Sequence, residues 1–128
     1  MSTILVLTSS ALGDASTSGL LIDEAVAKLQ AQQPGATIIR RDVGGSPLPH
    51  LTENTVGIIR GAEATNDEQV AAKKLAAELV AELQAADTVL IGAPMYNFGI
   101  TSTLKTWFDH VLQVGVTFRY TENGPEGL

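Results

Sequence analysis

"TILVLTSSALGDASTSG", residues 3–19, runs from unbroken aliphatic side chains into a loop made almost wholly of small and hydroxylated residues. Ile4, Leu5, Val6 and Leu7 show no alternation of apolar with polar, so this strand needs cover on both faces, as strands of a parallel sheet do. A helix should follow the loop, because Ile22, Ala25, Val26 and Leu29 fall at i, i+3, i+4 and i+7, and Pro34-Gly35 ends the pattern. "TIIRRDV", residues 37–43, then reads as a second strand, less apolar and therefore at an edge. Strand, helix and strand in that order make one right-handed parallel unit.

The remainder extends the same scheme. Residues 44–64 form a long connection in which Pro47 and Pro49 prevent regular structure early on; such a length is functional or carries a minor helix. "TNDEQVAAKKLAAELVAELQAAD", residues 65–87, is the clearest helix, with capping-box spacing at Thr65 and Glu68 and an apolar stripe through Ala72, Leu75, Ala76, Leu79 and Leu83. "TVLIGA", residues 88–93, is a third strand. A last helix places Leu104, Trp107, Phe108, Val111 and Leu112 on one stripe, with Thr101 or Ser102 as cap and Gly115 as stop. Turn chemistry at Asn123-Gly124-Pro125 closes the chain. The expected fold is α/β, a doubly wound parallel sheet with helices on both faces, and residues 1–128 form a single domain.

Composition excludes several functions. Eight basic against fourteen acidic residues give a net charge of −6, which repels nucleic acid and anionic membranes. No cysteine is present, so thiolate chemistry is excluded, and no metal-ligating cluster stands out. No signal peptide or run of roughly 20 apolar residues is seen, and a cytoplasmic location is expected.

On such a sheet, ligands bind beyond the carboxyl ends of the strands, which singles out the loops after Leu7 and after Ala93. In the first, Ser9, Ser10, Ser16, Thr17 and Ser18 crowd the start of a helix, whose free N–H groups and partial positive charge suit an anion. Neither a nucleoside triphosphate P-loop nor a Gly-x-Gly-x-x-Gly motif occurs, so a single terminal phosphate fits better. No Lys or Arg precedes Lys28, so neutral donors would hold it. The alternative is that these serines only cap a helix. In the second loop, "APMYNFGI" (93–100), Tyr96 and Phe98 flank Asn97. Either they fold back into the core or they wall a flat heteroaromatic ring whose polar edge the Asn97 amide reads. A phosphate beside a planar ring describes flavin mononucleotide (FMN).

"SSALGDASTS", "APMYNFGI" and "GVTFRYTENGPEGL" closely resemble the FMN-dependent NADH-azoreductases, flavodoxin-like reductases of quinones and azo compounds, and the resemblance runs along the whole chain. It implies that Ser10, Ser16, Thr17 and Ser18 hold the phosphate and ribityl end of FMN, while Met95, Tyr96, Asn97 and Phe98 line the isoalloxazine. It implies a homodimer with flavin sites at the subunit interface, where Tyr120, with Phe118 and Arg60, faces the quinone or azo substrate. In that family a fourth strand, a Ser-Arg-Gly-Gly-type flavin loop, a helix and a fifth strand follow. The chain is therefore expected to be incomplete at its C-terminus, leaving "TVLIGA" an open apolar edge, with weak FMN affinity and low stability unless something covers it.

The implied activity is two-electron transfer from NADH, the co-substrate, through bound FMN to a quinone or azo compound. The flavin carries the chemistry, so no catalytic acid–base residue is required. His50, His110 and Asp109 read as structural or solvated. A flavodoxin-type electron carrier and an inactive fragment are the competing readings. A phospho-receiver domain is rejected, because Ser9-Ser10 and Ala93-Pro94 stand where it needs acidic residues.

Overall fold

A computed structural model describes residues 2–128. Three parallel strands, β1 (Thr3–Thr8), β2 (Thr37–Asp42) and β3 (Thr88–Gly92), lie in the order β2-β1-β3. Ile4, Leu5, Val6 and Leu7 of the central strand are at most 1% exposed, as an aliphatic run without alternation requires. Successive side chains leave opposite faces of the sheet. Ile4 and Val6 pack against Ile22 and Val26 of α1 (Thr17–Gln32). Leu5 and Leu7 pack on the other face against Leu79 and Val80 of α3 (Asp67–Ala85) and Leu104, Trp107 and Val111 of α4 (Ser102–Val111). The doubly wound α/β arrangement is thus observed. Each fully buried aliphatic side chain contributes about 2 kcal/mol relative to exposure.

Among the described residues, both outer strands have an open edge. β2 is the less apolar one, and it is fastened from its α3 side. Arg41 donates to both carboxylate oxygens of Glu82 (3.0 Å each) and to Glu78 (2.9 Å). These bonds, Glu82 first, outweigh partial burial and push the guanidinium pKa further up. β3 pairs only with β1, and its Ile91 is 40% exposed, so the apolar edge expected of "TVLIGA" is present among the described residues.

Four details depart from or sharpen the sequence reading. The long connection carries a short helix, α2 (Val56–Ile59). α3 begins one residue later than the Thr65–Glu68 spacing implies: Asn66 is its cap and accepts from the Gln69 N–H at 2.9 Å, while the Gln69 side chain returns to Thr65. Asparagine is the stronger cap, and Asn66 and Gln69 have the same spacing, so the motif shifts by one. Glu68 is left to accept from Asn54 (2.9 Å). Thr101, not Ser102, caps α4, accepting from Leu104 N–H at 3.1 Å, and Leu112 lies past its end, 53% exposed. Beyond Gly115, an antiparallel hairpin of β4 (Phe118–Thr121) and β5 (Gly124–Gly127) packs chiefly on itself.

Candidate functional site

Thr8 and Gly92 end the two neighbouring strands side by side, in register. The chain leaves β1 for α1 on one face and β3 for α4 on the other, so the two loops diverge at the carboxyl edge of the sheet. Three contacts fix the first loop. Buried Ser9 donates its hydroxyl to the Gly92 carbonyl at 2.6 Å. Thr103 of α4 donates to the Ser9 carbonyl at 3.2 Å. From beneath, Gly44 approaches so closely that a Cβ there would lie 2.1 Å from the Ser10 carbonyl oxygen. In the sequence, Gly44 is marked only by a Gly-Gly pair directly after a strand.

Ser16 caps α1, accepting from the Gly19 N–H at 2.9 Å, with the Ser18 hydroxyl 3.0 Å away. The N–H groups of Thr17 and Ser18 open the helix and have no partner within it. Ser10, Ser16, Ser18 and Gly19 line a cleft of about 310 Å³. Its far wall belongs to β2, where Arg40 and Asp42 stand beside Asp14 and Asp23. The expectation that only neutral donors surround an anion there is corrected by Arg40. Twelve residues past Lys28, it returns to the cleft because β2 pairs with β1, Val6 opposite Arg40.

In the second loop, Tyr96 and Gly99 exchange backbone hydrogen bonds (2.9 and 3.1 Å) around Asn97 and Phe98. Both central residues are left-handed, with φ of 51° and 68°. Asparagine tolerates that region; a bulky Phe pays about 1–2 kcal/mol of strain there. Phe98 is 98% exposed and Met95 73%, so these side chains do not fold back into the core. Tyr96 turns instead to the first loop. Its hydroxyl oxygen accepts from the Ala11 N–H at 3.0 Å and lies 3.4 Å from the Ser10 hydroxyl. Ser10, and after it the Ala11 N–H, lower the phenol pKa. One aromatic therefore ties the two loops together while its neighbours present bare apolar faces. Strain and exposure of this kind, held by a rigid sheet edge, point to ligand binding.

Tyr120 sits on the hairpin, 71% exposed, with Phe118 edge-on at 5.4 Å; Arg60 caps the end of α2. Among the described residues, no hydrogen bond or ring contact joins these three to the two loops. His110 is buried and donates Nε2–H to the Pro49 carbonyl at 2.8 Å, and His50 Nδ1 lies 3.5 Å from Thr106; neither lines the cleft. Among the described residues there is no group of His, Asp and Glu placed to hold a metal ion, and no helix is long and apolar enough to cross a membrane.

Residues 2–128 match the family model described as a flavodoxin-like fold. The chain belongs to that family. This flavodoxin-like chain is 52% identical over 128 residues to an FMN-dependent NADH:quinone oxidoreductase of Hyphomonas neptunium, covering 100% of itself and 61% of that relative. Among solved structures it superposes on an azoreductase from Bacillus anthracis with a TM-score of 0.85 and 26% identity, covering 100% of this chain and 64% of the other. An FMN-dependent NADH-azoreductase of the same species, solved in complex with FMN, shares the fold at a TM-score of 0.82 and 23% identity, over 100% of this chain and 63% of that one. The chain spans 61–66% of the length of the curated relatives it matches.

Proposed function

We propose that this domain binds FMN at the crevice between the loops after β1 and β3, as part of a cytoplasmic, homodimeric NADH:quinone oxidoreductase that also accepts azo compounds. One observation carries the reading. A cleft lined by serine hydroxyls at a helix start is stapled, through Tyr96, to a strained turn that exposes Phe98 and Met95.

The donor set fits the group. Hydroxyls of Ser10, Ser16 and Ser18 and the free N–H groups of Thr17 and Ser18 match the oxygens of a phosphate monoester, and the α1 dipole favours its charge. Phe98 and Met95 offer apolar area to one face of a tricyclic ring and exclude water from it, and the Asn97 amide is placed to read a polar edge. Gly44 lets the chain pass directly under Ser10 and so keeps the phosphate loop seated on the strand end. FMN, when bound, would supply the redox chemistry, two-electron transfer between NADH and the acceptor. The protein contributes position, an apolar seat and shielding, and Tyr120 contributes to the substrate wall across the dimer. Relatives named as quinone oxidoreductases at about half identity over the whole chain support this activity.

A flavodoxin-type carrier is the reading to test against, since a charge of −6 suits docking to basic redox partners. With FMN, NADH and a benzoquinone supplied and no second protein present, quinone-dependent loss of NADH absorbance is expected at steady state. Bound flavin without such turnover would contradict the oxidoreductase reading and leave a carrier or an inactive fragment.

A further inference from the structure

Hydroxyls do not settle the electrostatics of the cleft. Asp14, Asp23 and Asp42 line it, against one cation, Arg40. The Asp42 carboxylate accepts from the N–H groups of Gly44 and Gly45 at 3.1 and 3.0 Å, which fixes its position at the cleft. A phosphate monoester entering there adds about two negative charges to a cleft already two units negative by this count. Like charges so close are repulsive, and something must offset them.

The neighbouring arginines of β2 differ in a telling way. Arg41 is locked by three hydrogen bonds to two glutamates. Arg40, on the opposite face, has one side-chain partner among the described residues: Asp23 of α1, at 3.8 Å, with both side chains more than half exposed. A pair that long and that wet is worth about 0–1 kcal/mol, so exchanging it costs little. A guanidinium also matches phosphate oxygens better than a single distant carboxylate oxygen. The geometry points to Arg40 as a mobile counter-ion for the phosphate: it leaves Asp23 when the anion arrives, and Asp23 competes for it when the anion is absent. The inference rests on the cleft being the FMN phosphate site, and it makes the Arg40–Asp23 pair a determinant of FMN affinity over that of flavins without a phosphate.

Dissociation constants for FMN and for riboflavin, read from flavin fluorescence at low and high salt, test it in four proteins. The native chain should prefer FMN, with the preference falling as salt rises. Arg40→Gln should weaken FMN about 5–10-fold, leave riboflavin unchanged and flatten the salt dependence, whereas Arg40→Lys should keep most of the preference. Asp23→Asn should tighten FMN about 2–3-fold, again without moving riboflavin. An unchanged FMN-to-riboflavin ratio in Arg40→Gln, or an equal loss of both flavins, overturns the inference while leaving the FMN site standing. If the native chain binds neither flavin, or does not distinguish them, the cleft is not a phosphate site, and both readings fall together.

Discussion

Replacing Gly44 by Ala is expected to displace the loop after β1 and to lower stability by about 3 kcal/mol. The added methyl would lie 2.1 Å from the Ser10 carbonyl oxygen and 2.8 Å from the carbonyl carbons of Ser9 and Ser10, all backbone atoms that move only if the loop moves. That loop is held from the other side by the Ser9–Gly92 and Thr103–Ser9 hydrogen bonds, so it cannot retreat without breaking them. Ser10 and Tyr96 would part as well, uncoupling the two loops. Urea unfolding and FMN titration of the same protein should therefore show both losses together. Gly45→Ala is the control. There the new methyl meets only the Asp42 carboxylate, at 2.5 Å; turning it aside gives up its bonds from the Gly44 and Gly45 N–H groups but leaves the backbone in place, and a smaller loss of about 1 kcal/mol is expected. Equal effects at the two glycines would mean that close approach to the loop is not what Gly44 provides.

Leu79→Ala should also cost about 3 kcal/mol, with a different signature. Leu79 has no exposed surface and packs with Leu5, Leu7 and Leu104 between α3 and the sheet. Truncation leaves a cavity that close-packed strands and helices fill only in part. Against a total stability of about 5–15 kcal/mol this is a large fraction. The serine-lined cleft proposed for the phosphate lies on the opposite, α1 side of the sheet. Under conditions where the variant is fully folded, its FMN affinity should match that of the native chain. A fall in the denaturation midpoint with an unchanged slope would show a pure loss of stability.

These two sites also mark what could be read from the sequence. Leu79 belongs to a stripe whose helical period is visible in isolation, as is the unbroken aliphatic run of β1, and together they dictate two covered faces. The position of the loops follows, because strand ends are where such sheets bind ligands. Gly44 and Arg40 act through space, by strand pairing and loop packing across more than thirty residues, and no local pattern reports that. The cap of α3 is ambiguous in sequence because two spacings one residue apart compete, and the better side chain, Asn66, wins. The hairpin at Phe118–Gly127 was legible only as a turn: its strands are short, exposed and bracketed by glycines, with no alternation to reveal them. In the second loop, the residue types suggested a ring. What they could not show is that Tyr96 serves the neighbouring loop while Phe98 stands free.

The claim that both loops form one flavin site is tested most directly by amide NMR of the labelled chain titrated with FMN, a method that works at weak as well as tight affinity. The account predicts that amide resonances of residues 9–19 and 95–99 shift together along one saturation curve, with the Thr17 and Ser18 N–H groups among the largest. Shifts confined to one loop, or to the 118–127 hairpin with both loops silent, would contradict it.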